Sequence, residues 1–210
     1  MTQYNNLVQD YPKRCADILE KLFLPATDLD REVTLLLMAT AGGFMMPYER
    51  LIWGDTIKQP NINRSVYKSA MNKLSDVLGV SIKESYYFKD ILSKWRFGKP
   101  SEPVEIEEIL YAYDNSNKID SNMKIAKALK ILRNSIAHGN VLSIPDTYNV
   151  IQDLIFLSGG EKRDGTIIPY KLVVLTPKEL KIFLLKWFEL LSELPVPQHE
   201  VLSFIDELAI

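Results

Sequence analysis

Three residues past the middle of the chain have the types and spacing to do chemistry: Arg133, Asn134 and His138. An imidazole titrates near neutrality and can take or give a proton. A guanidinium stays charged and offers a planar fork of donors, which suits an anion. At about 100° per residue, side chains four apart stack on one helix face, so Asn134 and His138 stand together. Arg133 starts nearer the flank, and its long side chain reaches round. Lys127, Lys130 and Ile131 fall near the same face. The chemistry within reach is proton transfer beside a stabilised anion. The chain has two histidines, His138 and His199, and one cysteine, Cys15. That is too few for a zinc site, so no metal and no cofactor is expected.

The helix that must position these groups is expected to run from a cap at Asp120 or Ser121 to His138. Gly139 follows, where a left-handed stop belongs. Ile125, Leu129, Leu132 and Ile136 fall within roughly 60° of one another and form its buried stripe. The polar face lies roughly opposite. An isoleucine there, Ile131, reads as a contact with a second copy of the same helix. A two-fold contact would bring two histidines together. The plainer reading is a solvated face with a stray isoleucine.

The other elements follow from periodicity and breakers. A first helix is expected over Tyr4–Leu24, ended by Pro25. A second, capped by Asp28, spans Leu29 to about Met46 and is apolar nearly all round, which suits the middle of a bundle. Its Gly42 and Gly43 permit close helix approach or mark a fraying end. A third runs from about Arg64 to Leu78, capped near Asn63. Gly98–Pro103 is a loop, Val104–Tyr113 a short acidic helix, and DNSNK a turn. Leu154–Ser158 and Ile167–Leu175 are apolar runs on either side of GGEKRDGT, which reads as a hairpin loop. TPKE at Thr176–Glu179 opens the last helix with a capping box and a proline at its first position. The expected fold is therefore all-α: one domain over residues 1–210, an up-and-down bundle with one small inserted β-hairpin at about 153–175. The C-terminal helix is placed at about 177–194, followed by a short tail, 195–210, in which a further helix could form.

The string ILRNSIAHGNV, Ile131 to Val141, resembles the HEPN family, the higher eukaryote and prokaryote nucleotide-binding domains. The resemblance is strongest over Leu129–Val141 and extends more weakly to the whole plan. It implies a HEPN-like bundle and metal-independent cleavage of single-stranded RNA, in a prokaryotic stand-alone protein of a toxin–antitoxin or anti-phage locus. The 2′-hydroxyl would attack the adjacent phosphate and leave a 2′,3′-cyclic phosphate. In a homodimer built on this helix, one His138 would act as base and the other as acid. Arg133 would stabilise the phosphorane oxygens. Asn134 would hold the imidazole tautomer or bond a phosphate oxygen. Lys127 and Lys130 would guide the RNA backbone, since phosphate contacts position rather than specify. A supporting acid used by some members would be Asp30 or Glu32, although both also suit the helix dipole. A protein antitoxin or sensor partner is implied by analogy.

Composition sets the bounds on this reading. Of 210 residues, 47% are hydrophobic and 25% charged, the balance of a globular protein. Net charge is −2, so no global basic field draws the chain to nucleic acid and any RNA contact must be local. One cysteine, a polar N-terminus and the lack of a long apolar run point to a cytoplasmic protein with no membrane span. LSGGE at Leu157–Glu161 and VLSFIDEL at Val201–Leu208 look like ATPase motifs, but no phosphate loop accompanies them. Asp28-Leu-Asp30 suits helix capping better than metal binding. His199 reads as a surface residue. Trp53, Trp95 and Trp187 read as core, as does Tyr86-Tyr87-Phe88, although with Lys89, Lys94 and Arg96 the latter could stack on a single strand. Two other readings remain: a catalytically inactive HEPN-type RNA-binding or protein-interaction module, and a structural subunit of a defence complex.

Overall fold

The computed structural model describes residues 7–52, 64–101, 105–160, 162–163 and 166–196. Two compact units emerge: the chain up to Val77 together with the chain from Leu184, and the segment Leu78–Phe183.

The first unit is helical. It holds α1 (Leu7–Asp28), α2 (Glu32–Ala39), a π-helical turn (Thr40–Met45), α3 (Met46–Ile52), most of α4 (Arg64–Gly79) and the second half of α8 (Pro177–Ser192). Pro25 does not end the first helix, which continues to Asp28. Pro25 has no N–H to give to the carbonyl four residues back, yet the helix keeps its course for three more residues. Asp28 therefore cannot cap α2, whose N-cap is Arg31 with no side-chain cap bond. The reversal is made instead by Asp30 at φ 54 and by backbone N–H groups of residues 29–31 that donate back to Ala26 and Thr27. Gly42 and Gly43 lie in the π turn. A Cβ on Gly42 would sit 2.6 Å from the Tyr11 hydroxyl, and one on Gly43 would sit 2.6 Å from the Phe188 ring. Bare backbone is what lets α1 and α8 approach this turn. Beside it Phe44, Tyr48 and Trp187 pack ring to ring, Phe44 and Trp187 edge-on at 5.1 Å.

The second unit overturns the all-α expectation. Its helical pieces are a 3-10 turn (Ile82–Glu84), α5 (Lys89–Leu92), α6 (Ile106–Asp114) and α7 (Ile125–Ala137). Its strands are β1 (Arg96–Gly98), β2 (Asn117–Lys118), β3 (Val141–Pro145), β4 (Ile151–Ser158), β5 (Lys162–Arg163), β6 (Thr166–Ile167) and β7 (Lys171–Leu175). Five of them form an antiparallel sheet in the order β2-β1-β7-β4-β3. The expected hairpin is its β4–β7 centre, with Ile155 opposite Val174. β1, β2, β5 and β6 are two or three residues long, too short to show a period of two, while β3 (VLSIP), half-buried at Val141, Leu142 and Ile144, pairs along β4. The turn read into DNSNK lies at the end of α6, and its Asn117 and Lys118 pair with β1.

The middle of β4 is buried on both faces. Ile155 and Leu157, with Leu172 and Val174, meet Ile109 and Ala112 of α6. The alternate residues Leu154, Phe156 and Ser158 turn to the other face, where α7 packs on β4 and β7. Gly98 belongs to the α6 side: a Cβ there would lie 2.7 Å from the Ala112 carbonyl oxygen.

The last helix opens as its capping box demands. The Thr176 N–H donates to the Glu179 carboxylate at 2.9 Å, and the Glu179 N–H donates to the Thr176 hydroxyl at 3.1 Å. It ends at Ser192 rather than Leu194. Among the described residues, no helix is long and apolar enough to cross a membrane. Trp53, the Asn63 cap, His199, the VLSFIDEL segment and any tail helix lie outside the described residues.

Candidate functional site

The helix of the motif is α7. It starts later than its sequence suggests, with Lys124 at the N-cap. Asp120 serves the turn before it, accepting from the Asn122 N–H at 2.9 Å. Ile125, Leu129 and Leu132 are fully buried as expected, while Ile136 is half-buried. Ile131, expected on the outward face, is 4% exposed and belongs to the core of its own chain. The buried arc is wider than the stripe read from four residues, because Ala128, Ile131 and Ser135 also turn inward over the sheet. An isoleucine contact with a second copy of α7 is therefore ruled out.

What remains outward is polar. Lys127, Lys130 and His138 are exposed, and Arg133 and Asn134 are half-buried. Arg133 donates from Nη1 to the Asn134 side-chain oxygen at 2.9 Å. The Asn134 Nδ2 donates in turn to the Ser158 hydroxyl at 3.1 Å. A chain of two hydrogen bonds thus runs from the guanidinium to the end of the central strand. The asparagine is satisfied at both ends of its amide, which fixes its orientation.

His138 is held by backbone geometry. It is the C-cap of α7, and Gly139 follows at φ +70. The Asn140 N–H donates to the Ser135 carbonyl at 2.8 Å, and the Gly139 N–H to the Ile136 carbonyl at 3.2 Å. These two bonds are the Schellman closure of a helix end. The Asn140 carbonyl then accepts from the Leu157 N–H at 3.0 Å, tying the exit chain to β4. The imidazole is presented to solvent at the one end of α7 that is locked on the sheet.

Ser158 was invisible as a site residue in the sequence. The signal was its place as the polar end of an apolar run, in step with Leu154 and Phe156. A second missed group lies on the opposite face of the sheet. Asp153 is 8% exposed, and its Oδ2 is 2.6 Å from Arg96 Nη2 and accepts from the Tyr113 hydroxyl at 2.9 Å. The Arg96 guanidinium sits over the Tyr113 ring at 4.9 Å. A charge inside an apolar strand run announces a partner, though it does not say which.

Asp30 and Glu32 are in the first unit, in the turn after α1 and in the first turn of α2. Arg133, Asn134, His138, Lys127 and Lys130 are all on or at the end of one helix of the second. Among the described residues, no three His, Cys, Asp or Glu side chains gather as a metal site would need. Gly159 and Gly160 of LSGGE have φ of 141 and 77 and lie under Tyr170. A Cβ on Gly159 would come 2.6 Å from the Tyr170 Cα, so turn geometry accounts for both glycines. Of Tyr86-Tyr87-Phe88, Phe88 is core and Tyr86 is 87% exposed.

The family model described as HEPN pEK499 p136 matches residues 1–198. The chain belongs to this HEPN family, and membership suggests a nuclease or RNA-binding role. No curated protein and no solved structure matches the chain.

Proposed function

We propose that the protein is an endoribonuclease that cuts single-stranded RNA without a metal ion, with Arg133, His138 and Asn134 at the reacting centre. The observation that carries this reading is the locked polar end of α7. His138 is exposed at a Schellman-closed helix end, and Arg133 is steered by an asparagine anchored on Ser158. A group that moves a proton and a group that neutralises an oxyanion then share one rigid support, as catalysis by position requires.

The step runs as follows. The 2′-hydroxyl loses its proton to an imidazole and its oxygen bonds to the adjacent phosphorus. The bond from phosphorus to the 5′-oxygen breaks, and that oxygen takes a proton from a second imidazole. The products are a 2′,3′-cyclic phosphate and a 5′-hydroxyl. Arg133 faces the charge that builds on the non-bridging oxygens. Two imidazoles imply a homodimer, with α7 of each copy at the interface through its polar arc. Lys127 and Lys130 hold the strand. A role as toxin or anti-phage effector in the cytoplasm, restrained by a protein partner, fits such an activity.

The test is the substrate's own chemistry. The wild-type protein should cut a single-stranded RNA in excess EDTA and leave cyclic-phosphate ends. A single 2′-deoxy nucleotide at the mapped site should stop cleavage there and nowhere else. Cleavage that persists at the deoxy position would rule out 2′-hydroxyl attack. No cleavage under any condition would favour the second reading, a binding module that keeps the motif's scaffold without turnover.

A further inference from the structure

We propose that the RNA strand is held well beyond the reacting centre, by a lysine row that runs back from Arg133 through Lys130, Lys127 and Lys124 to Lys83; this rests on the RNA reading above. Lys124, Lys127 and Lys130 are all exposed and, with Arg133, recur every three residues. Each step of three falls about 60° short of a full turn, so from Lys127 to Arg133 the row drifts about 120° across the outward arc of α7, and Lys124 stands at its N-cap. From Lys124 to Arg133 it covers nine rises, roughly 14 Å. Between Lys124 and His138 the sequence KIAKALKILRNSIAH has no acidic residue.

Lys83 is not on α7, and backbone pairing brings it there. The Lys83 N–H donates to the Ser121 carbonyl at 2.9 Å, the Ile82 N–H to the Met123 carbonyl at 2.9 Å, and Ser81 bridges Lys124. The 3-10 turn that bears Lys83 is thus stitched beside the start of α7, and Lys83 is exposed. The acids nearest in sequence are tied into their own turns. Glu84 accepts from the Ser81 hydroxyl at 2.6 Å while also interacting electrostatically with its neighbour Lys83, and Asp120 accepts from Asn122.

A row of compact, flexible point charges fits a polyanionic strand, since lysines follow phosphates without fixing a base. It also answers how a chain of net charge −2 could draw RNA. The attraction is local to this face.

The experiment measures binding, not turnover. In a His138→Ala background, the affinity for a labelled single-stranded oligouridine is followed from low to high salt. Neutralising two phosphate contacts should flatten the log–log salt slope by about 1.4, at about 0.7 per contact. Lys83→Ala with Lys124→Ala should do this and weaken binding about tenfold at low salt. Lys83→Arg with Lys124→Arg should restore both. Lys13→Ala with Lys68→Ala, exposed lysines of the first unit, should change neither. A slope and affinity equal to the unsubstituted background in the Lys83 and Lys124 alanine variant overturns the row, as does an absence of RNA binding altogether. The two readings fail separately. A protein that never cuts RNA but shows the predicted salt slopes keeps the row and loses the nuclease. One that cuts, with unchanged slopes in the variant, does the reverse.

Discussion

Asp153 shows what one misplaced charge obliges a fold to do. A carboxylate inside an apolar strand must be paired and hydrogen-bonded or it destabilises the native state by several kcal/mol. Arg96 supplies the charge and Tyr113 the hydroxyl, and the guanidinium stacks on the same tyrosine ring. Burial, with help from the neighbouring Asp153, raises the Tyr113 phenol above its ordinary value, against the opposing pull of Arg96. The sign of the consequence follows by linkage. A group whose folded pKa is raised stabilises the fold fully below its unfolded value, near 10, and loses that contribution as pH rises through the folded value. Urea unfolding of the wild type should therefore show stability falling above about pH 10. Tyr113→Phe should be less stable at neutral pH, having lost the bond to Asp153, and should show a shallower alkaline fall. Equal slopes in the two proteins would mean that Tyr113 is not the titrating group. Asn134 works on the same scale: its amide oxygen takes Arg133, and its amide nitrogen takes Ser158.

At the scale of the element, α7 depends on how it stops. Gly139 has φ +70, and nothing lies within 4 Å of where its Cβ would be. The cost of a side chain there is purely conformational, roughly 1–2 kcal/mol for alanine and less for asparagine. Gly139→Ala should lower the unfolding midpoint and reduce RNA cleavage, because the helix end that carries His138 loosens. Gly139→Asn should retain more of both. A loss of activity equal in the two variants, with no loss of stability in either, would point to a contact of the glycine itself. This stop was plain in the sequence, as were the TPKE cap and the apolar centre of the β4–β7 pair, because each is a local signal. The sheet around that pair was not. Arg96–Gly98 and Asn117–Lys118 are too brief to show alternation, and they become strands because β7 offers β1 an edge and β1 offers β2 the next. Ile131 misled for a related reason. Its helical angle lies on the border of the buried arc, and only the width of the sheet beneath α7 decides which side it takes. Asp30 is another case: its positive φ belongs to a reversal built from three backbone bonds, which no single residue type announces.

At the scale of the molecule, the charge is unevenly placed. A chain of net charge −2 keeps the stretch from Lys124 to His138 free of acids and puts three lysines and an arginine along it. The site residues lie on one helix locked to one sheet, so their geometry is set within the second unit. That rigidity lets a single experiment address the central claim. The first measurement is cleavage of single-stranded RNA in EDTA by the wild type, His138→Ala and Arg133→Ala, with folding and oligomeric state checked for each. The account predicts that the wild type cuts, that His138→Ala loses at least about a hundredfold in rate, that Arg133→Ala loses a comparable factor, and that both variants stay folded and associate as the wild type does. A folded His138→Ala protein that cuts RNA at the wild-type rate would contradict it.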